Sequence, residues 1–340
     1  MIIIISFLNW IQKYFLQFHE NNFSKIAAIF LLPLICFPYI IFAGSSSSSG
    51  IVLRIPFDAK ISALGGAGAS LQSQISAIES NPSLIAYCKD VNISIAHINA
   101  VSDVKLNGLL YSEPLTKNIS FAVYAKSLRS GNIQRTELID LTHYANLGSF
   151  SVKDSLLGVS FAHKSAKPLQ LFDKSITVSY GATLKYLKSE IAEYSAKAFS
   201  TDIGFYFNNV YSPFSYGLSL LNIGNKLKFF SKGDKQPFTA KFGISYNSAG
   251  FSNFLATADI IKLIDSDFEF CLGFDYKFSK FFSVRSGYDT RNDAGLGYSL
   301  GFGLNLFIFK NENSYLVFDY AYKPYEDIGD YHFITATLKY

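Results

Sequence analysis

Residues able to do chemistry are few in this chain, and their spacing serves it poorly. The five histidines, His19, His97, His143, His163 and His332, are scattered, with no pair at the spacing of a metal site. No Ser/His/Asp set can be nominated. Of the three cysteines, Cys36 falls in an amino-terminal apolar stretch, leaving Cys88 and Cys271, and no Cys-x-x-Cys occurs. A Cys88–Cys271 disulfide stays open, although a small apolar role on a strand suits Cys271 better. Asp259 and Asp265, near a short loop, could bind an ion; solvated loop carboxylates are far commoner. Gly65, Gly66 and Gly68 lie among Ala63, Ala67 and Ala69. A phosphate cradle needs a strand before such glycines, a helix after them and a Lys or acidic partner, and that context is missing. The sequence therefore offers no catalytic residue, metal ligand or cofactor site, and no enzyme is expected.

The elements that carry these residues are unusual in composition. The chain has 340 residues, 49% hydrophobic and 16% aromatic but only 16% charged, where soluble domains carry about a quarter charged residues. Yet no apolar run after residue 43 approaches the roughly 18 residues of a spanning helix. An apolar chain without such a helix still crosses a membrane as a closed barrel, because each strand shows lipid only one face. The formal charge of +4 comes from interspersed residues, so no tract points to nucleic acid.

The amino terminus carries export signals. Residues 26–43, IAAIFLLPLICFPYIIFA, follow Lys25 and end in Ala43-Gly44 before a serine run at 45–49. Pro33 and Pro38 would break an anchoring helix, which favours a signal peptide over residues 1–43, cleaved near Ala43. Its start is over-long, as an upstream start codon would make it. Residues 44–57 read as a Ser-rich, flexible lead-in.

From residue 91 onward, period-two alternation dominates. In 267–278, Phe268, Phe270, Leu272, Phe274, Tyr276 and Phe278 alternate with Asp267, Glu269, Cys271, Gly273, Asp275 and Lys277. Segments 238–247 and 295–306 repeat the design. One face is large and aromatic and the other small or polar, over strands of about 8–14 residues, longer than the usual 5–6. Strands are expected at 91–98, 105–112, 118–126, 155–163, 174–188, 195–208, 214–223, 237–246, 253–262, 267–278, 281–289, 296–307, 315–322 and 331–340. The fold class is thus all-β: a transmembrane antiparallel barrel of about fourteen strands over 91–340, in the outer membrane of a Gram-negative bacterium. An even count puts both barrel ends on the periplasmic side, with the longest loop, 127–154, outside. Asp202, Lys241, Glu269, Asp275 and Arg285 would face the lumen, most simply in mutual charge pairs. Phe281, Phe282, Tyr320, Tyr322 and Tyr325 would form an interfacial girdle. The chain closes on a strand ending in Tyr340, which resembles the terminal signal read by barrel assembly machinery.

Residues 58–90 do not alternate. The glycines read as a tightly packed turn region, and 70–80 has helical spacing (Leu71, Ile75, Ile78) that stops at Asn81-Pro82. A short plug segment inside the lumen is expected, with Gly65, Gly66, Gly68, Asn81 and Pro82 as its structural motif.

This order of motifs is specific where each alone is loose. DAKISALGGAGA at 58–69 and SAIESNPSLIA at 76–86 resemble the opening of the PorV/PorQ family of outer-membrane proteins, within the FadL-like barrel group. That family has Asn-Pro-Ala-Gly-Leu where this chain has Asn81-Pro82-Ser83-Leu84-Ile85. The likeness continues through Gly148-Ser149-Phe150 and Asp154, then Leu184-Lys185-Tyr186 with Glu193-Tyr194-Ser195, and Asp202-Ile203-Gly204. It goes on through Leu221-Asn222-Ile223-Gly224, 281–288 (FFSVRSGY), Asp319-Tyr320-Ala321-Tyr322 and Gly329, and so covers nearly all of 57–340. It implies a binding or shuttle component linked to type IX secretion or surface attachment, engaging secreted cargo proteins. The alternatives are FadL-like uptake of hydrophobic small molecules, and a structural outer-membrane protein with no cargo; outer-membrane lipid and the barrel assembly machinery are partners in each case.

Overall fold

The computed structural model describes residues 49–340 except 73–74, 141–142, 167, 172–173, 210, 232, 248–252, 265, 291–294, 308–313 and 326–328. The signal-peptide expectation for 1–43 and the ion-binding one for Asp265 lie outside the described residues.

Alternating sequences dictate strands here, and fourteen of them form the wall: β1 Asn92–Asn99, β2 Lys105–Pro114, β3 Ile119–Arg129, β4 Val152–Lys164, β5 Lys174–Ile191, β6 Tyr194–Asn209 and β7 Phe214–Gly224. They continue as β8 Thr239–Asn247, β9 Phe254–Leu263, β10 Phe268–Lys277, β11 Phe282–Asp289, β12 Tyr298–Phe307, β13 Tyr315–Pro324 and β14 Asp330–Lys339. Each pairs antiparallel with its sequence neighbour. The seam closes where β1 pairs β14, from Asn92↔Lys339 to Asn99↔His332. Val91 and Tyr340 then exchange backbone hydrogen bonds of 2.9 and 3.0 Å. Closure leaves no strand edge, the condition for strands to cross a bilayer.

The two faces of the wall divide as the alternation requires. In β10, Phe268 and Phe270 are exposed while Cys271, Gly273 and Asp275 are buried. Ile95, Leu109, Phe161, Leu184, Phe199, Phe242 and Ile260 likewise stand on the outside, an apolar surface that lipid would cover. The end holding Val91 and Tyr340 is the terminal end. At the opposite, loop end lie the two longest connections. Residues 130–151 carry a hairpin, Ile133–Leu138 with Tyr144–Phe150, and 225–238 fold back on themselves. Connection length alone does not mark the ends, because the turn at 192–193, also at the loop end, is as short as any.

Residues 49–90 run the length of the lumen. Ser49 donates to Lys235 O (3.1 Å) at the loop end, and the chain leaves for β1 at the terminal end. In between come 3-10 turns at Ile51–Leu53, Ile75–Glu79 and Pro82–Tyr87 and a short helix, α1, at Ala59–Ala63. Val52 and Phe57 are buried, so the lead-in expected through residue 57 is already part of the filling from residue 51. Its apolar run IVLRIPF was the signal. Asn81-Pro82 does not only stop a helix, as expected; it starts one. The Asn81 side chain accepts from Ser83 N (3.1 Å), and Pro82, with no N–H to lose, takes the first position of the turn.

Candidate functional site

Small residues on both sides let the segment lie directly on the wall. A Cβ placed on Gly217 would stand 1.9 Å from Ala69 O, one on Gly204 2.0 Å from Asn81 Oδ1, and one on Gly287 2.0 Å from Gly65 N. Gly65 is fixed twice over. Its φ of +68° lies in the left-handed region, and its own Cβ would stand 2.4 Å from Tyr288 O. At Gly68 the obstacle is Ser80 Oγ, 2.8 Å away. Gly66, with φ +84°, completes the turn by donating to Ile61 O (2.8 Å).

Side chains of the wall then satisfy the segment's buried backbone. Asp259 on β9 accepts from both Gly68 N and Ala69 N, each at 2.9 Å. Ser219 and Ser245 donate to Ser80 O (2.6 Å) and Ser70 O (2.9 Å). Thr335 accepts from Ala59 N (3.0 Å). Asn81 is the pivot within the segment, its Nδ2 donating to Ala69 O (2.8 Å) and to Phe205 O on the wall (2.9 Å).

Ion pairs complete the seal. Buried Lys126 on β3 reaches Glu79 (2.8 Å) and donates to Ile55 O (2.6 Å), while Glu79 also accepts from Phe57 N (2.7 Å). Arg285 binds Asp319 (2.6 Å) and Asp275 (3.3 Å), and Lys60 of α1 joins Asp275 (3.1 Å). Asp58 caps α1 by accepting from Ile61 N (2.9 Å) and takes the Ser76 hydroxyl. Lys185 pairs with Asp202 (2.6 Å), and Lys323 with Asp289 (2.8 Å). The expected charge pairing of Asp202, Asp275 and Arg285 is thus what the lumen contains. Lys241 reaches Ser80 Oγ (3.4 Å), and Glu269 accepts from the Ser266 hydroxyl (3.1 Å) near the loop end.

On either side of this seal lies a cavity. The larger, about 230 Å³, faces the loop end between Phe57, Ile61, Leu221, Ile261, Leu263 and Phe333, with Arg54, Glu79, Lys241 and Lys323 among its polar groups. Apolar space of about 150 Å³ suffices to hold benzene, so this mouth has room for a small apolar molecule. The second, about 180 Å³, lies at the terminal end between Ile75, Leu84, Tyr87, Tyr315 and Lys339.

Several sequence expectations land elsewhere. Tyr325 lines the mouth cavity and stacks on Tyr331 (4.6 Å between centroids) rather than facing lipid. Tyr320 and Tyr322 do stand on the outer face, beside His332, which Tyr320 Oη meets at 2.9 Å. Asp259 is buried within β9 and accepts from two backbone amides. Cys88 and Cys271 are separate thiols: Cys88 lies by Asp90 O at the terminal end, and Cys271 is buried beside Asp289. The pattern Gly-Tyr-Ser-Leu-Gly at 297–301 spells a nucleophile elbow, which places serine on a sharp strand-to-helix turn. Here Ser299 is inside β12, donating to Ala63 O and accepting from Gly65 N, both at 3.1 Å. Glu79, Lys126 and Thr335 are functional contacts that sequence reasoning did not single out. Among the described residues, no group of three or more His, Cys, Asp or Glu stands close enough to hold a metal ion.

A closed antiparallel barrel of fourteen strands, apolar outside and filled inside, is an outer-membrane β-barrel. No family model matches the chain, and no curated protein does. Among solved structures it is similar to the toluene transporter TbuX of Ralstonia pickettii, with a TM-score of 0.50 and 12% identity over 84% of this chain and 97% of that one. The toluene transporter TodX of Pseudomonas putida gives 0.52 and 11% over 83% and 96%. The deltaS2S3 mutant of TodX, a monoaromatic hydrocarbon channel, gives 0.53 and 12% over 83% and 97%. At such identities the likeness is one of fold. These neighbours are transporters of hydrophobic compounds, the class given above as the alternative; the secretion-linked PorV/PorQ reading draws no support from them.

Proposed function

We propose that this protein passes small apolar compounds across the outer membrane, taking them up in the loop-end cavity and releasing them when the lumen segment shifts. The observation that carries this is the mouth cavity of about 230 Å³, walled by Phe57, Leu221, Ile261, Leu263 and Phe333 and floored by a segment that the wall holds through hydrogen bonds. The fold neighbours, transporters of toluene, agree with it. In this scheme Gly65, Gly66, Gly68, Asn81 and Pro82 form the hinge-and-seat of the plug, and Tyr340 is the terminal residue recognised by assembly machinery. Nothing in the scheme calls for a cofactor or a chemical step.

The test is toluene binding and uptake by the intact protein and by Leu263→Trp, which fills the cavity from β9. Binding measured by headspace partitioning should fall at least tenfold, about 1.4 kcal/mol, and uptake into cells carrying only this barrel should fall with it. Unchanged uptake by the filled variant would sink the proposal. So would co-purification of a secreted protein bound at the loop end in place of any apolar ligand, which would return the cargo-shuttle role to first place.

A further inference from the structure

On the outer face of β2, β3 and β4 three cations stand side by side: Lys105 is directly opposite Arg129, and Arg129 directly opposite Lys153. All three are exposed. Directly opposed residues on neighbouring strands have Cβ atoms about 4.5–5.5 Å apart, a spacing at which like charges repel. Among the described residues none of the three makes an ion pair within 4 Å. The next residue of the row, Glu190 on β5, faces Lys153 and draws on its charge but is joined at contact distance to Lys188. That leaves Lys105 and Arg129 without an acid opposite them, and Lys188 in turn stands opposite Lys197 on β6. A closed barrel gains nothing from such a row by itself.

The rows beneath it show what it fits. Two residues nearer the middle of the barrel, the register runs Asn107–Ser127–Ser155, and two further on Leu109–Ala125–Leu157. Below these come Tyr111–Val123–Val159. Leu109 and Leu157 are 52% and 46% exposed. From the loop end inward, one strip of wall therefore passes from cationic to hydrogen-bonding to apolar. That gradient is the complement of an amphiphile with anionic groups at its head. The row lies at the loop end, away from both barrel termini, which is the outward side of a barrel with an even strand count. We infer that β2–β4 form a binding site for the phosphorylated glycolipid of the outer leaflet, with Lys105, Arg129 and Lys153 on its phosphates and Leu109, Ala125 and Leu157 against its acyl chains. Arg and Lys pair with phosphate through charge-assisted hydrogen bonds, which also relieves their mutual repulsion.

The experiment titrates the purified full-length barrel in detergent, read by native mass spectrometry, with four probes. These are bisphosphorylated lipid A, the same lipid dephosphorylated, phosphatidylglycerol, and the deacylated bisphosphorylated disaccharide. The wild type should bind the first most tightly. The triple variant Lys105→Gln, Arg129→Gln, Lys153→Gln should bind it at least tenfold more weakly, as expected for losing bonds to a charged group. Lys117→Gln with Lys280→Gln, at the terminal end, should leave it unchanged, and Arg129→Lys should keep most of the affinity. Heat-modifiable migration checks that each variant is folded, and the three single Gln variants, each weaker than wild type, serve if the triple is not. Equal binding by the triple variant and wild type overturns the site. Equal binding of dephosphorylated lipid or of phosphatidylglycerol removes the phosphate row's role, and a deacylated headgroup bound as tightly as the intact lipid removes the apolar rows, each overturning the assignment. None of these readouts involves toluene, so failure here leaves the transport proposal standing.

Discussion

Asp259 is the wall residue on which the lumen segment leans most directly, and replacing it with Ala isolates that contact. Its carboxylate accepts two backbone hydrogen bonds at 2.9 Å, from Gly68 N and Ala69 N, in a fully buried setting. A hydrogen bond to a charged group contributes about 1.5–3 kcal/mol, and the two amides left behind belong to buried residues. Taking the lower figure for each, to allow for relaxation, Asp259→Ala should cost the docked turn about 3 kcal/mol. At 1.4 kcal/mol per factor of ten, opening of this turn becomes roughly a hundredfold more frequent. Hydrogen exchange followed by mass spectrometry reads this in peptides covering 63–71. Those amides should exchange about a hundredfold faster, while peptides from β10 and β14, held by strand ladders on both sides, should not change. Asp259→Asn keeps an acceptor oxygen without the charge and should fall between. A change under threefold at 63–71, or one spread evenly over the wall, would refute the idea that this carboxylate seats the segment.

Two further outcomes follow from the structure. Gly217→Val places a branched side chain where Ala69 O lies 1.9 Å from the would-be Cβ; the segment must lift, and single-channel recordings should show an ion conductance absent from the wild type. Finally, oxidised and reduced protein should migrate alike on a denaturing gel, because Cys88 and Cys271 are separate thiols near opposite ends of the barrel.

The wall was legible in the sequence because strand alternation is local. Phe268 and Cys271 reveal their faces through neighbours one or two residues away, and all fourteen segments are where that pattern puts them. The filling was legible only in outline. Small residues at 63–69 announce close packing, but nothing near Asp259 in sequence says that its partners are Gly68 and Ala69. Neither does anything near Lys126 point to Glu79 and Ile55. Such pairings depend on which wall position faces which turn, and that is fixed only after the barrel has closed. Tyr325 shows the same limit at the surface: an aromatic at a strand end suits the membrane interface or a cavity rim equally well, and its contact with Tyr331 on the next strand decides. Residues 51–57 were hidden for another reason, since the serine run before them made the whole stretch look like a linker.

The seam between β1 and β14 has a consequence for how the molecule is made. It joins the two far ends of the barrel sequence, so it spans the greatest sequence separation of any pair and is the slowest to find by chain diffusion. The segment 49–90 comes earlier and runs straight into β1. The sheet must therefore curl around a filling tethered to its own leading strand. Assembly is a race between seating that strip against each newly added glycine face and shutting the last gap. A barrel that shuts first traps the strip outside and leaves a water-filled hole, a dead end in kinetics rather than a less stable version of the same protein.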